Sequence, residues 1–353
     1  MLHNIHISSI FRRCSVMLML CWGIFGWVQE AKGQNPTSAV CRPQSSFLDA
    51  MTSPILLRGD AHTAYRDPLL FHHEGVFYLY YSYVLEEEDH LIYWYVAVST
   101  SADLKNWSAP RILTTKDQNL NYSSPGNIVR VGDEWILCLQ TYPIADFRRG
   151  DKLRHGDDRA RVFTMRSKDL LRWSQPELIR VKGPDISKKD MGKMIDPFLL
   201  RDKDIPDKWW CFYKQDGHMH ASISTDLKTW TPCAADIAEG ENACVLVQND
   251  EYVFFYAPAN GVGVKRGRSL DQMREDDPPL VFGQKNWTWA AVRLTAGYVE
   301  DLRSVPGVGK YVMVFHGMPE PRKTDANTNA NCNIGIAWSD NLKTWRWVEQ
   351  IEK

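Results

Sequence analysis

The sequence lacks the features that mark several large classes of protein. A membrane-spanning helix needs roughly 20 consecutive apolar residues, and the main apolar stretch, 16–28, is shorter than that. Neither sign of charge dominates, because 42 Lys and Arg oppose 43 Asp and Glu for a formal net charge of -1. Lys and Arg are scattered rather than gathered into a basic stripe, which argues against a nucleic-acid partner. No Cys-x-x-Cys or His-x-x-x-His spacing indicates a zinc site.

The first 33 residues are typical of a secretory signal peptide. Arg12 and Arg13 precede the apolar stretch, and Ala31-Lys32-Gly33 places small residues at both positions before a cleavage site. We therefore expect an exported protein, periplasmic or extracellular. Its mature chain would begin near Gln34, with residues 34–54 as an N-terminal lead-in.

Six cysteines follow the predicted signal peptide. Cys138 and Cys211 lie at similar places inside apolar runs, so we expect both to be small core residues. Export would permit disulfides, and the pairs Cys41 with Cys332 or Cys233 with Cys244 are open alternatives.

One seven-residue phrase recurs along the chain. Its four full copies and one partial copy occupy 101–107, 167–173, 224–230, 339–345 and 269–273. Self-similarity at intervals of roughly 40 to 70 residues is typical of a solenoid or a propeller. Five copies predict five units. Within each copy we expect the Asp to hold a turn and the Trp to fill the space between neighbouring units.

A short run of aromatic and aliphatic residues precedes each copy. These runs are 77–84, 135–139, 209–213, 252–256 and 311–315. They are too short for helices and are bounded by Gly, Asp and Asn, which predicts buried strands. About ten to thirteen residues before each run, another strand is predicted to begin at a small or acidic pair. The pairs are Asp67-Pro68, Ser124-Pro125, Asp196-Pro197, Glu241-Asn242 and Glu300-Asp301.

Four-stranded units repeated radially form a β-propeller whose inner strands line a central channel. We therefore predict an all-β fold over residues 55–353, a five-bladed β-propeller with antiparallel four-stranded blades. The five strand openings should meet at one mouth of the channel. That arrangement would bring together Asp67, Asp196 and Glu241, which are far apart in the sequence.

The residues at these openings resemble a known group of enzymes. The run 65–71, followed by 75–82, resembles the first blade of glycoside hydrolase family 43 and related five-bladed propeller glycosidases. The run 195–200 is similar to the third-blade motif of that family. The run 241–246 stands in the place of its fourth-blade Glu-Gly-Pro motif, with Asn242-Ala243 instead of Gly-Pro. The resemblance extends in blade order from about residue 55 to the C-terminus.

The resemblance implies an inverting glycoside hydrolase. Asp67 would be the general base, Glu241 the general acid, and Asp196 a third carboxylate that orients the acid and raises its pKa by like-charge repulsion. Inversion needs a protonated acid and an ionised base about 6.5 to 9.5 Å apart. The implied substrates are plant-type poly- or oligosaccharides that contain arabinose, xylose or galactose.

Seven further residues are predicted to contact the substrate. They are Tyr65, Arg66, Tyr142, Trp289, Glu300, Asp301 and Arg303. Aromatic rings can stack on sugars, and charged groups can hold hydroxyl or carboxylate groups. Many relatives carry a fifth-blade histidine that faces a metal ion or water in the channel, whereas the stretch 297–301 has none. We expect a monomer that acts on carbohydrate and requires no cofactor, with a channel calcium ion left as an open alternative.

Two other functions stay open from the sequence. A relative of the same fold could transfer a glycosyl group to phosphate or to another sugar, and the phosphate dependence of turnover would reveal it. Alternatively, the propeller could bind sugar without cleaving it. Lectin propellers usually repeat a binding site in every blade, whereas these openings differ, with Ser124 where others carry an acid. That asymmetry favours one axial catalytic site.

Overall fold

The computed structural model describes residues 46–151, 158–233, 236–323 and 330–349. Within those ranges the regular structure is strand, apart from two 3-10 helices at Gln284–Asn286 and Thr288–Ala290. The strands form five antiparallel sheets, each built from neighbouring segments of the chain. The predicted all-β, five-bladed propeller is confirmed. The predicted signal peptide and the first part of the predicted lead-in lie outside the described residues.

The first strand, β1 (Ile55–Leu57), belongs in space to the last blade. The first blade contains β2 (Thr63–His73), β3 (Val76–Glu86), β4 (Ile92–Ser101) and β5 (Arg111–Ile112). The second blade contains β6 (Tyr122–Ser123), β7 (Ile128–Val131), β8 (Glu134–Thr141), β9 (Val162–Ser167) and β10 (Glu177–Leu178). Both β6 and β7 pair with β8, so together they form an interrupted inner strand.

The remaining blades repeat this pattern. The third contains β11 (Ile195–Arg201), β12 (Trp209–Gln215), β13 (His218–Ser224), β14 (Thr231–Pro232) and β15 (Ala238–Glu239). The fourth contains β16 (Glu241–Gln248), β17 (Glu251–Ala257), β18 (Val262–Gly267) and β19 (Arg274–Leu280). The fifth contains β20 (Arg293–Leu302), β21 (Lys310–Met318), β22 (Asn333–Ser339) and β23 (Trp345–Arg346).

The ring is closed by strands from opposite ends of the described chain. β1 pairs antiparallel with β22, placing Ile55 opposite Gly335 and Leu57 opposite Ile334. The edge of β22 that faces away from β21 is therefore covered by β1 and β23. Covering an open strand edge prevents it from pairing with another chain.

The second strand of every blade forms the core, as the aromatic runs predict. Phe77, Phe212, Phe254 and Phe315 are all fully buried on these strands. Neighbouring blades pack through such rings, for example Phe212 against Phe254 with ring centroids 5.5 Å apart. Burying a large apolar side chain contributes about 1.5–3 kcal/mol. The five blades are therefore joined by one continuous apolar core.

The recurring phrase forms the same tight turn in each full copy. In the first, one carboxylate oxygen of Asp103 accepts hydrogen bonds from the backbone N–H groups of Lys105 and Asn106, at 3.0 and 2.8 Å. Asp169, Asp226 and Asn341 accept equivalent pairs of bonds in the other full copies. The Trp173 ring packs edge-on against Tyr80 of the preceding blade, 6.0 Å away. The predicted roles of the Asp and the Trp are confirmed.

A left-handed residue interrupts the inner strand of every blade. These residues are Asp67, Ser124, Asp196, Asn242 and Ala296, with φ of 47°, 46°, 55°, 55° and 54°. A left-handed backbone costs roughly 1–2 kcal/mol per non-glycine residue, and such strain collects at functional sites. Asp67, Asp196, Asn242 and Ala296 also lie at breaks in strand register. The interruptions turn the following backbone toward the channel.

Two predicted openings differ from the structure. In the fourth blade the left-handed position is Asn242, so Glu241 lies one residue earlier than the position aligned with Asp67 and Asp196. In the fifth blade the opening is at Ala296 rather than at Glu300-Asp301, which lie near the C-terminal end of β20 opposite Val312 and Tyr311. The expectation that Glu300 and Asp301 open the fifth blade is therefore wrong.

Candidate active site

A deep cavity opens where the inner strands begin. It has a volume of about 1040 Å³, and its lining includes Asp67, Asp196 and Glu241 from the first, third and fourth blades. The cavity narrows below them to a space of about 20 Å³ between the left-handed openings. The structure thus brings the three predicted carboxylates together around one hollow. It also places the predicted residues Arg66 and Tyr142 in the same lining.

Hydrogen bonds between blades fix the carboxylates in place. The Ser82 hydroxyl donates to Asp67 at 2.7 Å and accepts from the backbone N–H of Ser124, also at 2.7 Å. The Ser124 hydroxyl in turn donates to Asp196 at 2.8 Å, and the Asn242 side-chain amide donates to the same Asp196 oxygen at 3.1 Å. Four blades are therefore linked by side chains that hold the reactive groups, which is the support that a precise catalytic geometry needs.

His316 links the fifth blade to the first. Its Nδ1 accepts a hydrogen bond from the backbone N–H of Asp67 at 3.1 Å, so the neutral ring carries its proton on Nε2. Burial, together with the charges of Arg66 and Arg293, lowers the pKa of His316 well below its usual value. His316 therefore stays neutral and fixes the backbone at Asp67.

Asp67 accepts fewer side-chain hydrogen bonds than either of the other two carboxylates. Its side chain is 12% exposed and accepts a hydrogen bond from the Ser82 hydroxyl. Burial raises the pKa of Asp67, and the charge of Arg66 opposes that rise. Since one oxygen atom is taken by Ser82, the other is available to a water molecule or hydroxyl group in the cavity.

Asp196 is the carboxyl group that holds a proton most readily. Burial, followed by the negative charge of Glu241, raises the pKa of Asp196 to about 7. Both of its side-chain donors, Ser124 and Asn242, converge on Oδ1. Oδ2 is therefore the oxygen that can carry the proton.

Glu241 is held between two cations. Lys214 donates to Oε2 at 2.5 Å and Arg293 donates to Oε1 at 2.7 Å. Burial would raise the pKa of Glu241, but Lys214 and Arg293 outweigh it and the pKa is lowered. The net pKa of Glu241 in the unliganded site is therefore lower, not higher, than its ordinary value, because these ion pairs stabilise the Glu241 carboxylate.

Two aromatic rings form one wall of the cavity. Trp94 and Tyr142 are stacked with ring centroids 5.3 Å apart and an interplanar angle of 18°. The Arg66 guanidinium lies over the Trp94 ring at 5.4 Å, and the Lys193 ammonium lies over the Tyr142 ring at 5.5 Å. Trp94 is 4% exposed and Tyr142 is half-buried, so Tyr142 is the ring of this pair that a sugar in the cavity can contact.

Five predicted substrate-contacting residues do not line this cavity. Tyr65 packs between Tyr81 and Tyr83. Trp289 is 2% exposed and stacks on Trp287 and Phe315. The remaining three, Glu300, Asp301 and Arg303, lie at the far end of β20 or just beyond it. Asp301 and Arg303 pair with each other at 2.7 Å, and the Tyr298 hydroxyl approaches Glu300 at 3.4 Å. Their positions correct the expectation that these five face the substrate.

Other lining residues escaped the sequence analysis. Lys193, Lys214, Gln140 and Trp94 lie in regions without a distinctive motif. Lys214 is opposite Ile195 in the β11–β12 pairing. Because Ile195 directly precedes Asp196 in the chain, this strand pairing is the signal that could have placed Lys214 near the site. The side chain of Gln140 in the second blade accepts a hydrogen bond of 2.6 Å from the backbone N–H of Asp196 in the third blade. Such long-range contacts leave no local signal in the sequence.

The channel offers little to a calcium ion. Calcium takes about six to eight oxygen ligands, whereas the narrow part of the channel is lined mainly by Pro, Gly and Ala residues. Within the described ranges no group of three or more His, Cys, Asp and Glu side chains forms a ligand set. We therefore derive no step through a metal ion. In the same part of the chain, no helix is both long and apolar enough to cross a membrane.

Comparison with known proteins yields matches only by structure. No family model matches the chain, and no curated protein does. The fold superposes on an exo-1,5-α-L-arabinanase from a bovine ruminal metagenomic library with a TM-score of 0.53 and 14% identity, covering 83% of this chain and 99% of that one. It superposes on an α-L-arabinanase of Cellvibrio cellulosa, solved with arabinohexaose, with a TM-score of 0.56 and 15% identity, covering 81% and 96%.

A third similar structure is the GH43 protein BlXynB from Bacillus licheniformis. Its TM-score is 0.55 at 14% identity, with 84% of this chain covered. This chain spans 56% of the length of BlXynB. Similarity at these identities shows a shared fold. The resemblance to family 43 drawn from the blade motifs is thereby supported in architecture.

Proposed function

We propose that this protein is an inverting glycoside hydrolase acting on plant-type poly- or oligosaccharides that contain arabinose, xylose or galactose. The observation that carries the proposal is the meeting of Asp67, Asp196 and Glu241, from three blades, in one cavity of about 1040 Å³. The similar folds of solved arabinanases support the same reaction class. Glycoside hydrolysis requires one carboxyl group that is protonated and a second that is ionised.

Asp67 acts as the general base in this proposal. Its unoccupied oxygen takes a proton from water, which attacks the anomeric carbon from the face opposite the leaving group. Ser82 and His316 position the side chain and the backbone of Asp67 for this step. The nearby positive charge of Arg66 keeps the pKa of Asp67 below the value that burial alone would give it.

Glu241 acts as the general acid, and Asp196 stores its proton. In the empty cavity the proton resides on Asp196, since Lys214 and Arg293 favour the ionised form of Glu241. A leaving-group oxygen that approaches Glu241 competes with these cations, which raises the proton affinity of Glu241, and Glu241 then takes the proton from Asp196. Glu241 donates this proton to the glycosidic oxygen as the bond to the anomeric carbon breaks, and Asp196 is left ionised.

The product anomer tests the mechanism. Single displacement gives inversion, so the first sugar released should have the opposite anomeric configuration to the substrate. Proton NMR during the first minutes of hydrolysis, before mutarotation, measures this directly. Early appearance of the retained anomer would refute inversion even where hydrolysis is real.

The pH dependence of turnover should reflect Asp196. Its pKa is raised to about 7, so kcat/KM is expected to fall about tenfold per pH unit above that value as the stored proton is lost. The raised pKa also means that Asp196 stabilises the fold below the ordinary carboxyl pKa and loses that contribution as the pH rises through 7. Initial rates, measured beside thermal unfolding at each pH, separate the two effects. A profile that stays flat to pH 9 would contradict the assignment.

Transfer to phosphate is the second candidate, favoured by the basic side chains Arg66, Lys193, Lys214 and Arg293 in the cavity. Turnover that requires inorganic phosphate and releases a sugar phosphate would establish it. We also propose export to the periplasm or the medium, based on residues 1–33. Secretion of the full-length chain with loss of that segment, measured by N-terminal sequencing, tests this part.

A further inference from the structure

The cavity contains basic side chains that no carboxylate of the described residues holds in an ion pair. Five basic and five acidic side chains line it. Two of the basic ones, Lys214 and Arg293, are occupied by Glu241. Arg66, Lys189 and Lys193 make no ion pair within 4 Å with the described residues, and of these three Arg66 and Lys193 are partly buried whereas Lys189 is exposed.

Arg66 presents an unused guanidinium group. No described residue accepts a hydrogen bond from it, and its Nε is buried without a partner. The neighbouring carboxylate of Asp67 accepts its hydrogen bond from Ser82 instead. A guanidinium group can bind a carboxylate through two parallel hydrogen bonds. Arg66 therefore has the donors for a ligand carboxylate, and no hydrogen bond to a described residue uses them.

Lys193 provides a second unused charge. It is half-buried, and no ion pair or hydrogen bond to another described residue involves its ammonium group. Burial, and then the charge of Lys214, lowers the pKa of Lys193. The protein around Lys193 thus destabilises its positive charge, and an anion entering the cavity would reverse that effect.

Both cations flank the same binding surface. Arg66 lies over the Trp94 ring and Lys193 over the Tyr142 ring, and these two rings are stacked on each other. Trp94 is 4% exposed and Tyr142 is half-buried, so a sugar reaches this pair mainly at Tyr142, within the cavity that both cations line. A carboxylate on that sugar would supply the acceptor that the two cationic side chains do not find among the described residues.

We propose that the sugar bound against Trp94 and Tyr142 carries a carboxylate, so that the substrate class is a poly- or oligosaccharide containing uronosyl residues, with Arg66 and Lys193 binding the carboxylate. This inference rests on the proposed hydrolase function and specifies its substrate. Inorganic phosphate fits the site less well, because beside Asp67 its charge of about -1.5 would be repelled more strongly than the single charge of a carboxylate.

The experiment compares acidic polysaccharides with their own neutral forms. Polygalacturonate, glucuronoxylan and alginate are each tested for release of reducing sugar beside the same polymer after chemical reduction of its carboxyl groups, which keeps the linkage and removes the charge. At least one acidic polymer should be cleaved about 10- to 100-fold faster than its reduced form, the range expected for a charge-assisted contact. Lys193→Met should reduce that ratio to near 1, and Lys193→Arg should restore most of it.

Lys228→Met is the matched control, because Lys228 is exposed on a turn of the third blade and does not line the cavity. It should leave the ratio between the acidic and reduced polymers unchanged. Preference for arabinan, xylan or galactan over every acidic polymer would overturn the uronate proposal while leaving the hydrolase proposal intact. Turnover that depends on phosphate would overturn both.

Binding separates the two proposals if no polymer is cleaved. Calorimetry with the wild-type protein and oligogalacturonides, glucurono-xylooligosaccharides and oligoalginates measures uronate recognition without turnover. Binding of one of these that weakens about tenfold or more in Lys193→Met supports the carboxylate site even where hydrolysis fails. Absence of binding to all three, or equal binding by wild type and Lys193→Met, would overturn it.

Discussion

Asp67→Asn is expected to lower kcat by about 10²- to 10⁴-fold on every substrate that the parent protein cleaves. The amide cannot take a proton from the attacking water, and that step is needed whatever the leaving group is. The amide oxygen can still accept the Ser82 hydrogen bond, and the backbone bond to His316 does not involve the side chain. The loss should therefore appear in activity and not in folding.

The measurement is kcat on both a dinitrophenyl glycoside and an unactivated oligosaccharide, beside circular dichroism and thermal unfolding. Asp146→Asn is the matched control, since Asp146 is also an aspartate with left-handed backbone, at φ 56°, but is exposed and outside the cavity. It should retain activity within about twofold of the parent, as surface substitutions away from special features usually do. Near-normal turnover by Asp67→Asn would show that another group is the base.

The fold was predictable because its signals are local and repeated. The Asp of the recurring phrase binds the backbone two and three residues later, so the turn at Asp103 is specified by neighbouring residues. The aromatic runs mark the second strands because those strands are buried on both faces. Repetition then gives the number of blades.

The fifth opening was missed because it carries neither an acid nor a proline. Ala296 adopts the left-handed backbone at φ 54°, and the following Gly297 leaves no room for a side chain beside Val262. The pair Glu300-Asp301 was the nearest acidic match in the sequence. Only the register break between Thr295 and Tyr298 shows where the strand is interrupted.

The electrostatics of the site were the least predictable part. Asp196 and Glu241 could be identified from their position in the blade repeat. The direction of their pKa shifts depends on Lys214 and Arg293, which reach Glu241 from the third and fifth blades. Sequence position alone cannot show which side chains of other blades meet at a carboxylate, because that depends on the closed ring.

The assignment of the acid leads to the second large effect. Glu241→Gln is expected to lower kcat by about 10²- to 10⁴-fold on oligosaccharides, whose leaving groups are poor, and far less on dinitrophenyl glycosides. A dinitrophenolate departs without protonation, so it does not need the acid. The ratio of the two rates therefore identifies the proton donor in a way that a general loss of activity does not.

Lys214→Met is the control for the ion pairs, because Gln at position 241 leaves Lys214 and Arg293 without their carboxylate partner. This variant breaks one ion pair and keeps the carboxyl group of Glu241. It should raise the pKa of Glu241, since the Lys214 charge is the largest factor lowering it. Hydrolysis of the oligosaccharide should then remain much faster than in Glu241→Gln. Loss of activity as large as that of Glu241→Gln would mean that the ion pairs, and not proton donation, account for the effect.

Asp196→Asn decides between proton storage and direct donation. If Asp196 only stores the proton for Glu241, Asp196→Asn and Glu241→Gln should both slow the oligosaccharide far more than the dinitrophenyl glycoside, and Asp196→Asn should also remove the decline of kcat/KM above pH 7. If Asp196 itself donates to the leaving group, the dependence on leaving group should appear in Asp196→Asn and be absent from Glu241→Gln. The position of Asp196 favours storage, because its side chain is buried at the narrow end of the cavity, whereas Glu241 is 21% exposed to the space that a glycosidic oxygen would enter.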